Sequence, residues 1–504
     1  MVHTEIGEAL ARVRKVCGSN QSNVIQSEQM LRPDRELLLR TKWLQPIMKG
    51  WYLLVKPELA EGDSSKWYAS FWDFLRLYLA DLHQGEYCLS AENSLDLHTG
   101  NSQVPSQVVV ISSKGGGSTQ ELPYQTSLLV YADPKNLPQE TVSFKGLKIM
   151  GLPYALCRAS VAYFQKNQRG AEIALQMIRQ SAELTHLLLK HDFKMSANRL
   201  IGAYEALGRD VLAREMKEEL SAAGWRVKAE NPFCNEVRIS QLPVRSPYCA
   251  RILSLWQDYR EIVIASFPSP QSPPSNGEVY LETLEDLYEK DAYHSLSIEG
   301  YHVDEALIER VQKDEWNPDH DRGDSETRNA LAARGYYEAF LEVKKSLLRL
   351  IQGENPGKVI EQDLRKWYQH LFAPLVRAEI LRKEELVGYR KHQVYIRNSR
   401  HVPLPKESLI DAMETLFECL KQEPHPAVRA VLGHYIFVFI HPYMDGNGRL
   451  GRFLMNTLLV SGGYPWTIVR VTSRSAYLNA LECAGTGREI APFARFIASQ
   501  MINP

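Results

Sequence analysis

The sequence is short of cysteine, of net charge and of long apolar runs. Among its 504 residues there are seven cysteines, Cys17, Cys88, Cys157, Cys234, Cys249, Cys419 and Cys483. They are scattered, odd in number and never spaced as CxxC, which argues against a disulfide scaffold and a structural zinc site and fits a reducing compartment. Lys and Arg total 59 against 60 Asp and Glu, a net charge of −1, so no global field draws the chain to nucleic acid or membrane. The longest uncharged run of the C-terminal half, Phe453 to Val469, is short for a bilayer and is broken by Gly462-Gly463-Tyr464-Pro465. The N-terminus has no apolar core followed by a cleavage site. These absences predict a cytoplasmic protein without membrane contact. What is present is ordinary for a globular chain: 44% hydrophobic and 24% charged residues. At roughly 150 residues per domain the length predicts about three domains.

One stretch reads as a linker. Ser266 to Gly277 is rich in Pro and Ser and has no apolar period. It predicts a division into a front half ending near residue 265 and a back half starting near 278. Four regions follow: 1–60, 61–230, a connecting helix with the Pro/Ser linker over 231–278, and 279–504.

The first region is locally basic. Met1 to Lys56 holds nine Lys or Arg against five Asp or Glu, a surplus of four. Glu8 to Val16 and Asn23 to Met30 read as short helices, and Pro33 suits the first turn of a third, Pro33 to Thr41. Trp43 to Met48 and Gly50 to Val55 read as a hairpin. This order is that of a winged helix-turn-helix, whose third helix enters a major groove, so DNA is an expected partner of residues 1–60. With the mixed α/β run that follows, containing Val108 to Ser112 and Ser127 to Tyr131, it resembles the AbiEi-type antitoxin and regulator family at the level of pattern. Gly115-Gly116-Gly117 reads as a loop rather than a phosphate site. Arg169 to Lys190 reads as a helix. Residues 279–504 are helical almost throughout, except for Gly388 to Pro405, which predicts a β-hairpin projecting from the bundle.

The chemistry concentrates between two apolar helices, in His441-Pro442-Tyr443-Met444-Asp445-Gly446-Asn447-Gly448-Arg449-Leu450-Gly451-Arg452. Glycines let a backbone turn tightly and approach a ligand. Their N–H groups and those opening the next helix form an anion nest. Arg449 and Arg452 beside it fit a di- or triphosphate. Asp445 at its edge can hold Mg²⁺, and the imidazole of His441 suits a general base. Each part alone is more often structural; twelve residues holding all of them read as a site.

That segment is similar, nearly residue for residue, to the Fic signature His-x-Phe-x-Asp/Glu-Gly-Asn-Gly-Arg-x-x-Arg, with Tyr443 in place of Phe. The resemblance covers about Val279 to Pro504. It implies a mainly α fold with a β-hairpin flap, and transfer of AMP from ATP to a Ser, Thr or Tyr hydroxyl of a protein. By position it makes His441 the base and Asp445 the Mg²⁺ ligand. Gly446, Asn447 and Gly448 become the α-phosphate hole, and Arg449 and Arg452 the grip on the outer phosphates. The flap is Gly388 to Arg397, onto which a target segment adds as a strand, with Ile396 against the nucleotide and Tyr477 as the adenine wall. Ser295-Leu296-Ser297-Ile298-Glu299-Gly300 resembles the family's inhibitory motif, in which Glu299 pairs with Arg452. The same glutamate in this family can support removal of AMP, and a DNA-binding regulator with a nucleotide-sensing Fic half is the alternative reading. Family members often dimerise, so a homodimer is expected. Asp319 to Asp324 reads as a solvated turn.

Overall fold

The computed structural model describes residues 2–57, 64–235, 246–313 and 324–501. They form two compact units. One is 1–247 together with 395–402; the other is 248–394 together with 403–504. The division falls near residue 247, ahead of the Pro/Ser stretch.

In the first unit, α1 (Val2–Asn20), β1 (Val24–Gln26), α2 (Arg32–Arg40), β2 (Leu44–Met48) and β3 (Trp51–Leu54) form a small sheet of order β1-β3-β2 beneath two helices. The expected hairpin is present. The expected second helix is not: Val24-Ile25 pair antiparallel with Leu53-Tyr52 and are fully buried, and Ser27–Gln29 is a single 3₁₀ turn. Two adjacent β-branched residues facing a ready edge favour the strand. The basic surplus is partly spent internally, since Arg12 donates two hydrogen bonds of 2.8 Å to Asp34 and Arg32 pairs with Glu36.

Next come α3 (Ser65–His83), β4 (Tyr87–Leu89), α4 (Ala91–His98), β5 (Gln107–Ser112), β6 (Thr119–Leu122) and β7 (Thr126–Ala132), then the short pair β8 (Val142–Phe144) and β9 (Leu147–Ile149). The larger sheet has order β4-β5-β7-β6, with β5 and β7 parallel. Helices α5 (Leu152–Arg158), α6 (Val161–Lys166), α7 (Gln168–Met177), α8 (Ala182–Lys190), α9 (Lys194–Ala206) and α10 (Asp210–Ala222) complete it. The helix expected over Arg169 to Lys190 is therefore two, broken at Ile178, whose backbone is extended.

The second unit is mainly α: α11 (Pro247–Ser266), α12 (Gly277–Ile298), α13 (Glu305–Gln312), α14 (Asp324–Ile351), α15 (Pro356–Arg377), α16 (Leu409–Gln422), α17 (Pro426–Ile440), α18 (Asn447–Ser461), α19 (Arg474–Glu482) and α20 (Ala491–Met501). Helix α17 is apolar on every side and runs through the core, as such helices do, with α18 packed on it. The Pro/Ser stretch is no tether. Phe267 is buried edge-on against Tyr464, Tyr464 Oη donates to the Pro268 carbonyl (2.8 Å), and Gln271 N donates to Gly463 O (3.1 Å). The stretch at 319–323 lies outside the described residues. No helix among the described residues is long and apolar enough to cross a membrane.

The hairpin expected over Gly388 to Pro405 is absent as a hairpin. The segment has no strand of its own. Tyr395 to Val402 belongs to the first unit, where Val402 N donates to Ser102 O (2.8 Å), Val104 N to Arg400 O (3.0 Å), and Ser102 Oγ meets His401 Nδ1 (2.9 Å). Its backbone finds partners on residues 102–104 in place of a cross-strand ladder of its own, which satisfies the same kind of groups.

Candidate nucleotide site at the head of a buried helix

The site is built where α17 ends and α18 begins. His441 closes α17 in the left-handed region, φ 54°, its N–H bonded to the Phe437 carbonyl (2.9 Å). That backbone costs a non-glycine residue roughly 1–2 kcal/mol. The imidazole Nδ1 faces the Val438 carbonyl at 3.2 Å. A carbonyl only accepts, so Nδ1 carries the proton and Nε2 keeps its lone pair. Burial, assisted by the charge of Arg390, pushes the imidazole down to about 4, below the value of ~6.5 for a free histidine. The ring is a neutral acceptor at neutral pH.

The loop locks itself. Tyr443 N donates to Asn447 Oδ1 (3.0 Å) and Asn447 Nδ2 donates to the Tyr443 carbonyl (2.9 Å). The Tyr443 ring stacks on Tyr368 with centroids 3.9 Å apart and planes at 9°. Asn447, 2% exposed, spends its amide on the loop, so its side chain is a clamp rather than a phosphate ligand. Gly446 is buried against Phe372 as the residue that opens α18, and no side chain caps that helix. Its first N–H groups carry the positive end of the helix dipole and bear no internal partner.

The two arginines differ. Arg449 is 1% exposed and lies between the rings of Tyr301 and Phe372, its guanidinium carbon 5.1 and 5.2 Å from their centroids. Its Nη2 donates to Asp445 Oδ2 (3.3 Å) and its Nε is buried without a partner. Arg449, expected on the outer phosphates, is here stacked between two rings and holds Asp445. The Asp445 side chain remains 59% exposed, its other oxygen accepting from Gly446 N (2.6 Å).

Arg452 is held from α12. Its Nε donates to Ser295 Oγ (2.9 Å), and its Nη2 donates to Ser295 O (3.0 Å) and Glu299 Oε1 (2.7 Å). Burial opposes its charge, but Glu299, with Tyr477 and Tyr336, more than offsets this and holds the guanidinium above its ordinary value. Behind Ser295, Tyr336 Oη donates to Asp291 (2.7 Å), whose carboxyl burial pushes up to about 6.

Glu299 is aimed by the end of α12. Gly300 N donates to Ser297 O and Tyr301 N to Leu296 O, with Gly300 at φ 89°. This is the glycine-terminated Schellman turn, which explains why glycine follows the glutamate. The same turn sets Tyr301 over Arg449. A Cβ on Gly448 would stand 2.2 Å from Glu299 Oε1, so glycine there is what admits the carboxylate to the head of α18.

The structure therefore brings together His441, Asp445, Gly446, Asn447, Gly448, Arg449, Arg452 and Glu299. Tyr477 is a buried core ring, 2% exposed, whose hydroxyl meets His434 Nε2 at 2.8 Å. The expectation of an open adenine wall is not met, because both ring and hydroxyl are spent in the interior. Ile396 is half-buried in the segment that belongs to the first unit. Sequence reasoning missed Tyr301, Phe372, Tyr336 and Asp291. Only Tyr301 carried a local signal, as the residue following a Glu-Gly helix end.

Comparison with known proteins bears on the same stretch. Residues 358–459, which hold the whole loop from His441 to Arg452, match the Fic/DOC family. That stretch is similar to a Fic domain. The protein adenylyltransferases Fic of Drosophila willistoni and Drosophila virilis are each 44% identical to this chain over 114 residues, 22% of it and 22% and 23% of those proteins. The chain thus spans about a fifth of the length of the curated relatives it matches. Among solved structures, Fic-1 from C. elegans is 17% identical with a TM-score of 0.36, covering 68% of this chain and 95% of that one. Within the matched residues, the clamp of Asn447 and the stacking of Tyr443 account for two positions of the signature by loop architecture alone.

Proposed function

We propose that this protein transfers AMP from ATP to a hydroxyl of a protein and that Glu299 holds it in an inhibited state. The observation that carries the reading is the Glu299 carboxylate on Arg452 at 2.7 Å, pressed against Gly448 at the head of α18. A carboxylate at the positive end of a helix, paired with a buried arginine, occupies the seat that suits a phosphate.

In the reading, Glu299 withdraws and the polyphosphate takes its place. Arg452 and the first N–H groups of α18 hold the phosphates. His441 Nε2 takes the proton of the incoming hydroxyl. The hydroxyl oxygen bonds to the α-phosphorus, the bond from that phosphorus to the bridging oxygen breaks, and pyrophosphate leaves with the electron pair. Positioning and charge stabilisation carry most of such a step. Among the described residues no three His, Cys, Asp or Glu side chains cluster as a metal cage. Mg²⁺ does not need one, since it takes one or two carboxylates and completes its shell with phosphate oxygens and water. The exposed Asp445 fits that part, and the ion would neutralise phosphate charge. Tyr477 supports Arg452 from behind.

The test is incubation of the full chain with Mg²⁺ and ATP labelled at the α-phosphate. Glu299→Gly is expected to raise protein labelling at least tenfold over wild type, and Glu299→Gly/His441→Ala to abolish it. For residues 1–60, contact of α2 with DNA through Arg35 and Arg40 is proposed on the helix–strand–helix–hairpin order. A gel shift lost in Arg35→Ala/Arg40→Ala checks it.

A further inference from the structure

Arg390 is 5% exposed, near the start of the segment that lacks strands. Its bonds converge on the backbone around His441. Arg390 N donates to the Pro442 carbonyl (2.9 Å) and its Nε donates to the His441 carbonyl (2.8 Å). Nη1 donates to the His392 carbonyl (3.0 Å), and Nη2 to that of Leu404. One residue thus holds the two consecutive carbonyls that follow the imidazole and ties both ends of the 388–405 segment to them.

A strained backbone persists only where its surroundings over-determine it. His441 is left-handed, and it is followed by Pro442, which fixes the next φ. Its N–H and Nδ1 are both tied within α17. The carbonyl side of the residue is therefore set by what grips it, and Arg390 grips it with a planar fork that an ammonium cannot reproduce.

We propose that Arg390 is a positioning residue for His441, fixing the direction of its imidazole by clamping the His441 and Pro442 carbonyls to the 388–405 segment. The proposal rests on the adenylyl-transfer reading only for its kinetic consequence; the geometry it asserts is independent of turnover. None of these bonds reaches the phosphate seat, so loss of Arg390 is expected to act on the chemical step and not on ATP binding. Displacements near 1 Å at a reacting group lower rates about a hundredfold. The groups that face His441 electrostatically are Arg390, Glu299 and Asp445, and Arg390→Lys leaves all three charges in place.

The experiment compares Arg390→Lys and Arg390→Gln in the full chain carrying Glu299→Gly. Kinetics with Mg²⁺-ATP are read beside the His441 imidazole ¹⁵N resonances, assigned with His441→Gln, and the thermal midpoint. The expected result is a ten- to hundredfold fall in kcat in both variants, KM for ATP within twofold, shifted His441 resonances and a midpoint within a few degrees of the parent. Unchanged resonances in a folded Arg390→Lys protein overturn the proposal, as does a rise in KM at constant kcat. If Arg390→Gln does not fold, Arg390→Lys decides; a collapsed midpoint in both marks a purely structural residue and also overturns it. If the parent with Arg390 intact transfers no AMP, the adenylyl-transfer reading fails, while the resonances still decide on Arg390.

Discussion

The loop from His441 to Arg452 and the segment from Gly388 to Pro405 are both free of strands, yet they keep their shapes by opposite means. The loop is held largely from within: Asn447 bonds both backbone groups of Tyr443, and Arg449 holds Asp445, with the stack of Tyr443 on Tyr368 as its anchor outside. The segment adds distant partners to its own bonds from Arg390 to Leu404 and from Gln393 to Pro403: His441 and Pro442 at its base, and Ser102 and Val104 along Tyr395 to Val402. A region whose contacts are local in sequence leaves a readable signature. A region whose contacts are distant does not, whatever its role.

That contrast can be broken or sharpened by measurement. The largest effect is expected at the base: in the Glu299→Gly background, His441→Ala lowers adenylyl transfer about a thousandfold, the range lost with a general base, with the fold retained by circular dichroism. Asn447→Ala comes next. Losing two buried hydrogen bonds and stranding the Tyr443 groups costs about 2–3 kcal/mol, read as a lowered midpoint in urea. His401→Ala, which removes the bond to Ser102, is expected to speed tryptic cleavage at the exposed Arg397 several-fold while leaving the urea midpoint nearly unchanged. If His401→Ala destabilised the chain as much as Asn447→Ala, the distinction between the two regions would fail. The smallest effect belongs to Tyr443→Phe, which keeps the stack on Tyr368 and is expected to change stability by less than about 0.5 kcal/mol.

A pH dependence follows from the buried His434 and the half-buried His441. His434 and His441 are both held at about 4 by burial, below their unfolded value of ~6.5. Their neutral forms contribute stability above pH ~6.5, and it is lost as pH falls toward 4, because the unfolded chain then binds the extra protons. Urea midpoints at pH 7.5 and 5 should show the decline, and His434→Gln should lessen it. The acid limb of transfer by Glu299→Gly should accordingly lie near pH 4 to 5 rather than 6.5.

Much of the loop from His441 to Arg452 was legible because its residue types are unusual at that spacing: a histidine after an apolar helix, two glycines around an asparagine, two arginines three apart. Glu299 and its glycine were legible for the same reason, as a helix end with a fixed turn. Roles were less legible than positions. Arg449 reads as a phosphate ligand until Tyr301 and Phe372, 148 and 77 residues away in the chain, are seen to enclose it. Arg390 offers no local pattern at all, since the His441, His392 and Leu404 acceptors of its guanidinium are backbone carbonyls that any residue would supply. Val24-Ile25 and Val394-Tyr395-Ile396 carry similar β-branched content; only the first pair has a strand edge to join. The Pro/Ser stretch lacks an apolar period, yet Phe267 and two backbone groups fix it against Gly463 and Tyr464.

The central claim is that Glu299 sits in the seat of a phosphate and that His441 acts beside it. Labelling of protein from ATP carrying the label at the α-phosphate, compared across wild type, Glu299→Gly and Glu299→Gly/His441→Ala, tests it most directly. Low, high and no labelling in that order is the predicted result; equal labelling in wild type and Glu299→Gly, or labelling that survives loss of His441, would contradict it.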